Sequence, residues 1–126
     1  MAVVTVLRQE ENVRLDPDRL TELYVKLGES GAEEVVCRAM EELAVQLTEI
    51  QAVNENGVPG NMQVNARNIA ELASDVGLLS LARVAFDVDY CLHFDDQGAI
   101  SATLARLSRV GDRSLMAVWD LRDLSM

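Results

Sequence analysis

The chain has 126 residues, and its 21 acidic against 11 basic side chains give a net charge of −10, which repels nucleic acid and anionic membrane and sets both aside as partners. Hydrophobic residues make up 49% but aromatics only 4%, with two prolines, so the apolar mass comes from alanine, valine and leucine. That balance excludes a disordered chain and favours a single domain of close-packed helices over a β-sandwich.

In chain order, residues 1–15 open with AVVTVL, a β-branched run with no strand partner elsewhere in the sequence. They form an extended arm or a helical extension lying on the domain, or they pair with the same arm of a second copy. Asp16-Pro17-Asp18 marks a helix start, with Asp16 at the N-cap, Pro17 at the first helical position and Asp18 near the positive end of the dipole. Leu20, Leu23, Tyr24 and Leu27 are its apolar stripe and Gly28 its stop. Ser30, with Glu33 three residues on, starts a second, longer helix with the stripe Val36, Met40, Leu43, Leu47 and Ile50, ending near Val53 or Asn54. The loop NENGVPGN, from Asn54 to Asn61, follows.

Met62, Ala66, Ile69, Ala73 and Val76 then recur at steps of four and three. Gly77 supplies the left-handed position that ends this helix, and Leu78, Leu81, Ala85, Val88 and Leu92 carry the stripe of the next, which runs to Phe94. After the polar turn Asp95-Asp96-Gln97-Gly98, a helix from Ala99 to Val110 presents Ile100, Leu104 and Leu107. Gly111-Asp112 interrupts it, and Leu115, Val118, Trp119 and Leu121 belong to a last helix. The expected fold is all-α. One domain over residues 1–126 holds five or six helices, the long ones forming an antiparallel four-helix bundle, with additional short N- and C-terminal elements.

Little in the sequence points to catalysis. The single histidine, His93, stands at a helix end beside Asp95 and Asp96, where an imidazolium suits the dipole, and it leaves the serines without a triad. There is no phosphate-binding glycine loop, no zinc spacing and no Glu-x-x-His pair, so neither cofactor nor metal is expected. Cys37 and Cys91 read as buried free thiols of a cytoplasmic protein, and no stretch reads as an export signal or membrane anchor. Arg106, Arg109 and Arg113 are either a basic patch for an acidic partner or ordinary salt-bridge partners, and Trp119 is either core or an interface anchor.

The stretch NARNIAELASDVGLLSLARVAFDVD resembles the histidine phosphotransfer (HPt) domain of bacterial phosphorelays. In that family a helix bears the phosphorylated histidine, with a lysine three residues later, a glycine four later and a terminating glycine ten later. A Leu-Ala pair opens the next helix, and an acidic residue follows seven positions after that alanine. Gly77 fits the terminating glycine, Leu81-Ala82 the pair and Asp89 the acidic position. LDPDRLTELYVKLGESGAEEVV is similar to the family's opening, so the likeness covers Leu15 to Val110.

The chemical positions depart from the family. Anchored on Gly77, the phosphoacceptor falls on Arg67, the lysine on Ala70 and the glycine on Glu71. A guanidinium is permanently protonated and has no lone pair for attack on an aspartyl phosphate. The resemblance therefore implies an HPt-like interaction module, not an enzyme, that docks a receiver domain or histidine kinase without phosphotransfer. Its docking face is Arg67, Ala70, Glu71 and Ser74, on the polar side of their helix. The bland alternative for those residues is a solvated helix face. The alternative for the whole chain is a small helical homo-oligomer, such as a homodimer, burying its valine-rich arm and Trp119 between copies.

Overall fold

The computed structural model describes residues 13–56 and 62–125, with side chains described for 13–55 and 62–120. Four helices make up these residues: α1 (Pro17–Asn56), α2 (Met62–Asp75), α3 (Leu79–Leu92) and α4 (Gln97–Ser125). Each packs on its neighbours in sequence, and α1 and α4 close the ring more loosely, as in an antiparallel four-helix bundle. The AVVTVL run, residues 57–61 of the loop and the side chain of Leu121 lie outside the described residues.

The helix start at Asp16 forms as its residue types dictate. Its carboxylate Oδ1 accepts the backbone N–H of Asp18 at 3.0 Å and of Arg19 at 3.4 Å, satisfying two orphan donors of the first turn. Gly28 breaks the helix as expected, with φ 74° and ψ 172°, a conformation essentially reserved for glycine, and helix resumes at once, so α1 is two helical segments that meet at a kink. Of the expected stripe only Leu23 is buried, while Tyr24 and Leu27 are exposed.

The core follows the predicted stripes of the other helices. Met40, Leu43, Leu47 and Ile50 of α1 meet Ala66, Ile69, Ala73 and Val76 of α2, Leu78, Leu81, Ala85 and Val88 of α3, and Ile100, Leu104 and Leu107 of α4. Cys37 and Cys91, expected to be buried, are half-buried.

The expected break at Gly111 is absent, which removes one of the expected helices, and the two segments that meet at Gly28 are numbered together as α1. α4 runs unbroken through this glycine, and Val110, Ser114 and Val118 extend its buried row. Gly111 serves the packing of α4 on α1: a Cβ there would lie 2.9 Å from Leu47 Cδ1 and 3.1 Å from Cδ2. The missing side chain lets the two helices approach, a role that sequence spacing cannot separate from that of a helix breaker.

Gly77 does have the expected left-handed backbone, with φ 78°. It is also a contact point. The Gly77 carbonyl accepts the Asp16 N–H at 2.8 Å, and Leu15 bridges Leu78 in antiparallel sense. Arg14 adds three bonds to the same turn, its carbonyl accepting the Leu79 N–H at 3.0 Å and the Ser80 N–H at 3.4 Å and its own N–H donating to Ser80 Oγ at 2.7 Å. Arg19 Nε completes the clasp by donating to the Asp75 carbonyl at 2.7 Å.

Two substitutions test these roles. Gly77→Ala combines a positive φ with a Cβ 3.0 Å from the Asp16 carbonyl oxygen, and should lower unfolding free energy by about 1–3 kcal/mol in a denaturant titration. Gly111→Val should cost about 1–3 kcal/mol through overpacking against Leu47, and part of that loss should return when Leu47→Ala is combined with it.

Candidate functional site

The residues singled out by the sequence gather on the α2–α3 hairpin. α2 and α3 run antiparallel, so as residue numbers rise along α2 their partners fall along α3: Gln63 meets His93 and Arg67 meets Asp89. Arg67 Nε lies 3.4 Å from Asp89 Oδ2, with the arginine side chain 59% exposed and the aspartate 20%. Arg67 thus turns across the hairpin to Asp89 rather than along its own helix to Glu71. The other carboxylate oxygen, Asp89 Oδ1, is buried and has no hydrogen-bond partner among the described residues.

His93 caps the end of α3. Its Nδ1 lies 2.8 Å from the Asp89 carbonyl, which can only accept, so the ring donates there and satisfies one of the last free carbonyls of the helix. Its Nε2 is 3.2 Å from Gln63 Nε2, which fits the amide donating to the ring. The sequence reading placed an imidazolium at this helix end; the structure shows His93 there with a hydrogen bond across one turn.

The docking face needs one correction. Arg67, Glu71 and Ser74 are exposed, but Ala70 is 2% exposed and belongs to the core. Counting steps of three and four placed Ala70 on the polar side. The structure buries a wider arc of α2 than one stripe, taking in Asn65 and Ala70 as well as Ala66, Ile69 and Ala73, because this helix packs on both α1 and α3.

On its other flank Glu71 borders a groove of about 250 Å³ with Glu42, Gln46, Asn68, Leu72 and Asp75. Behind it runs a polar seam that the sequence reading missed. Asn65, 6% exposed, donates to Gln46 Oε1 at 2.6 Å and to Glu49 Oε2 at 3.1 Å, and Gln46 donates to Glu42 Oε1 at 3.0 Å. These bonds join α1 to α2 and satisfy a buried amide. The signal was available: Asn65 falls one residue before the stripe member Ala66, and Glu42, Gln46 and Glu49 recur at steps of four and three.

The sequence reading also passed over Phe86, Tyr90 and Phe94, which recur every fourth residue along α3 and the turn just after it. With Asp87, Asp89 and His93 they line a groove of about 570 Å³. No three His, Cys, Asp or Glu side chains among the described residues could hold a metal ion, and none of their helices is long and apolar enough to cross a membrane. Of the late arginines, Arg106 and Arg109 are exposed and Arg113 is half-buried; Trp119 is 45% exposed.

No protein-family model, curated protein or solved structure matches the chain.

The Arg67–Asp89 pair is exposed on one side, so its contribution should be small. A double-mutant cycle of Arg67→Ala and Asp89→Asn should give a coupling of about 0.2–1 kcal/mol by urea unfolding, shrinking as salt is raised.

Proposed function

We propose that this chain is an HPt-like interaction module of a bacterial two-component phosphorelay, one that binds a receiver domain or a histidine kinase in the cytoplasm without passing phosphate. It acts as a decoy, scaffold or modulator, and not as an enzyme. The observation that carries this reading is the pairing of Arg67 with Asp89. These are the positions that the family gives to its phosphoacceptor and to its acidic residue, and here they face each other across a hairpin turned by Gly77. The acceptor is a permanent cation that cannot be phosphorylated, and it is held by the carboxylate opposite.

The docking face reduces to Arg67, Glu71 and Ser74 once Ala70 is assigned to the core. The carboxylates of Glu42, Glu71 and Asp75 outnumber the cations Arg67 and Arg19 beside them, which makes this face acidic overall, suits a basic partner surface and opposes the approach of a free phosphoryl anion.

The test is affinity capture of the tagged chain from host lysate with identification by mass spectrometry. A receiver-domain protein or a histidine kinase should be enriched, and the enrichment should be lost with Arg67→Ala and Glu71→Lys together. Recovery of the chain alone would reject the reading and leave the homo-oligomer. A second readout follows from the geometry: Arg67→His with Glu71→Gly should gain acid-labile phosphate from the captured receiver, while the unmodified chain takes none.

A further inference from the structure

All five aromatic residues of the chain lie on its surface: Tyr24 is 40% exposed, Phe86 58%, Tyr90 66%, Phe94 63% and Trp119 45%. The core is built instead from alanine, valine, leucine, isoleucine and methionine. Large apolar rings left in water form part of a surface that another molecule covers, above all when they are contiguous. Three of the five are contiguous. Phe86 and Tyr90 stand one turn apart on the outer side of α3, opposite the buried Leu81, Ala85 and Val88, and Phe94 continues their row in the turn just after the helix. The Tyr90 and Phe94 rings touch, with centroids 4.8 Å apart and planes inclined by 57°.

Carboxylates flank this row. Asp87 and Asp89 line the same groove, and Asp95 and Asp96 follow Phe94 directly, both exposed. Asp89 is engaged by Arg67, Asp95 Oδ1 accepts the Gln97 amide at 3.2 Å and Asp96 Oδ1 caps α4 through the Ala99 N–H at 3.1 Å, but among the described residues no cation pairs with Asp87, Asp95 or Asp96, so their charge is available to a partner. Ring faces and carboxylates are both cation acceptors, and a guanidinium uses the two together by stacking on a ring while its fork meets a carboxylate. The net charge of −10 draws a cationic partner over a longer range and opposes a second copy of this chain at the same face.

We propose that the outer face of α3 is a docking surface for an arginine-bearing amphipathic segment of a partner protein. The apolar side chains of that segment cover Phe86, Tyr90 and Phe94, and its arginines meet Asp87 and the Asp95-Asp96 pair. The surface is distinct from the α2 face of Arg67, Glu71 and Ser74, so it stands or falls independently of the phosphorelay reading.

The experiment titrates the full isotope-labelled chain with a synthetic peptide of leucine and arginine at helical spacing. A twin peptide with glutamate for every arginine is the comparison, and amide shifts are followed by NMR. The arginine peptide should shift amides on the outer side of α3 and bind at least about tenfold more tightly than its twin. Phe86→Ser, Tyr90→Ser and Phe94→Ser together should weaken binding about tenfold or more; all three side chains are exposed, and circular dichroism checks that the variant folds. Asp87→Asn with Asp95→Asn should weaken binding several-fold and flatten its salt dependence, whereas Glu29→Gln with Glu41→Gln, which removes the same charge elsewhere, should not. Shifts spread over the acidic surface of α1, equal weakening by the Glu29 and Glu41 variant, or equal binding of the twin would overturn the proposal. So would a dimer in sedimentation whose α3 face is protected without any peptide.

Discussion

The α2–α3 turn closes because residue 77 has no side chain. Its backbone sits at φ 78°, and a Cβ there would lie 3.0 Å from the Asp16 carbonyl oxygen and 3.2 Å from Arg19 Cβ. The same residue therefore does two things that a larger one would oppose. It reverses the chain between two helices, and it lets the segment before α1 lie directly on the turn, where the Asp16 N–H reaches the Gly77 carbonyl. The antiparallel setting of α2 and α3 brings Arg67 to Asp89 and Gln63 to His93, so the geometry of the candidate site is downstream of this turn.

Small side chains govern the rest of the packing as well. Ala66, Ala70, Ala73, Ala82 and Ala85 all lie in the core around the α2–α3 pair, and Gly111 lets α4 come down on Leu47 of α1. Helices separated by alanine approach closely and leave no room for rings. The exposure of every aromatic side chain is consistent with that: the volume a ring would need is not present between these helices, and the rings stand on outward positions.

The two faces of the hairpin differ in character. The α2 face carries Arg67 among carboxylates. The α3 face carries rings with carboxylates beside them. Both are acidic overall, as the whole chain is, and both suit partners that bring positive charge.

The sequence alone determined the all-α class, the hairpin about Gly77, the capped start at Asp16 and most core positions of α2, α3 and α4, but not Ala70, Ala82, Val84 or Val110. These depend on local rules: a helix repeats near every three and a half residues, an N-cap needs a short oxygen-bearing side chain, and a left-handed residue prefers to be glycine. What only the tertiary structure decided depends on a neighbour that no local rule supplies. Gly111 reads as a breaker until Leu47 is seen against it, and Ala70 reads as surface until α2 is found packed on two sides. Asn65 reads as an ordinary polar residue until Gln46 and Glu49 receive its amide, and Arg67 could pair along its helix or across the hairpin until Asp89 is placed opposite. Periodicity fixes which side of a helix a residue occupies, but the width of the buried arc and the identity of the partner depend on how many helices press on it and from where.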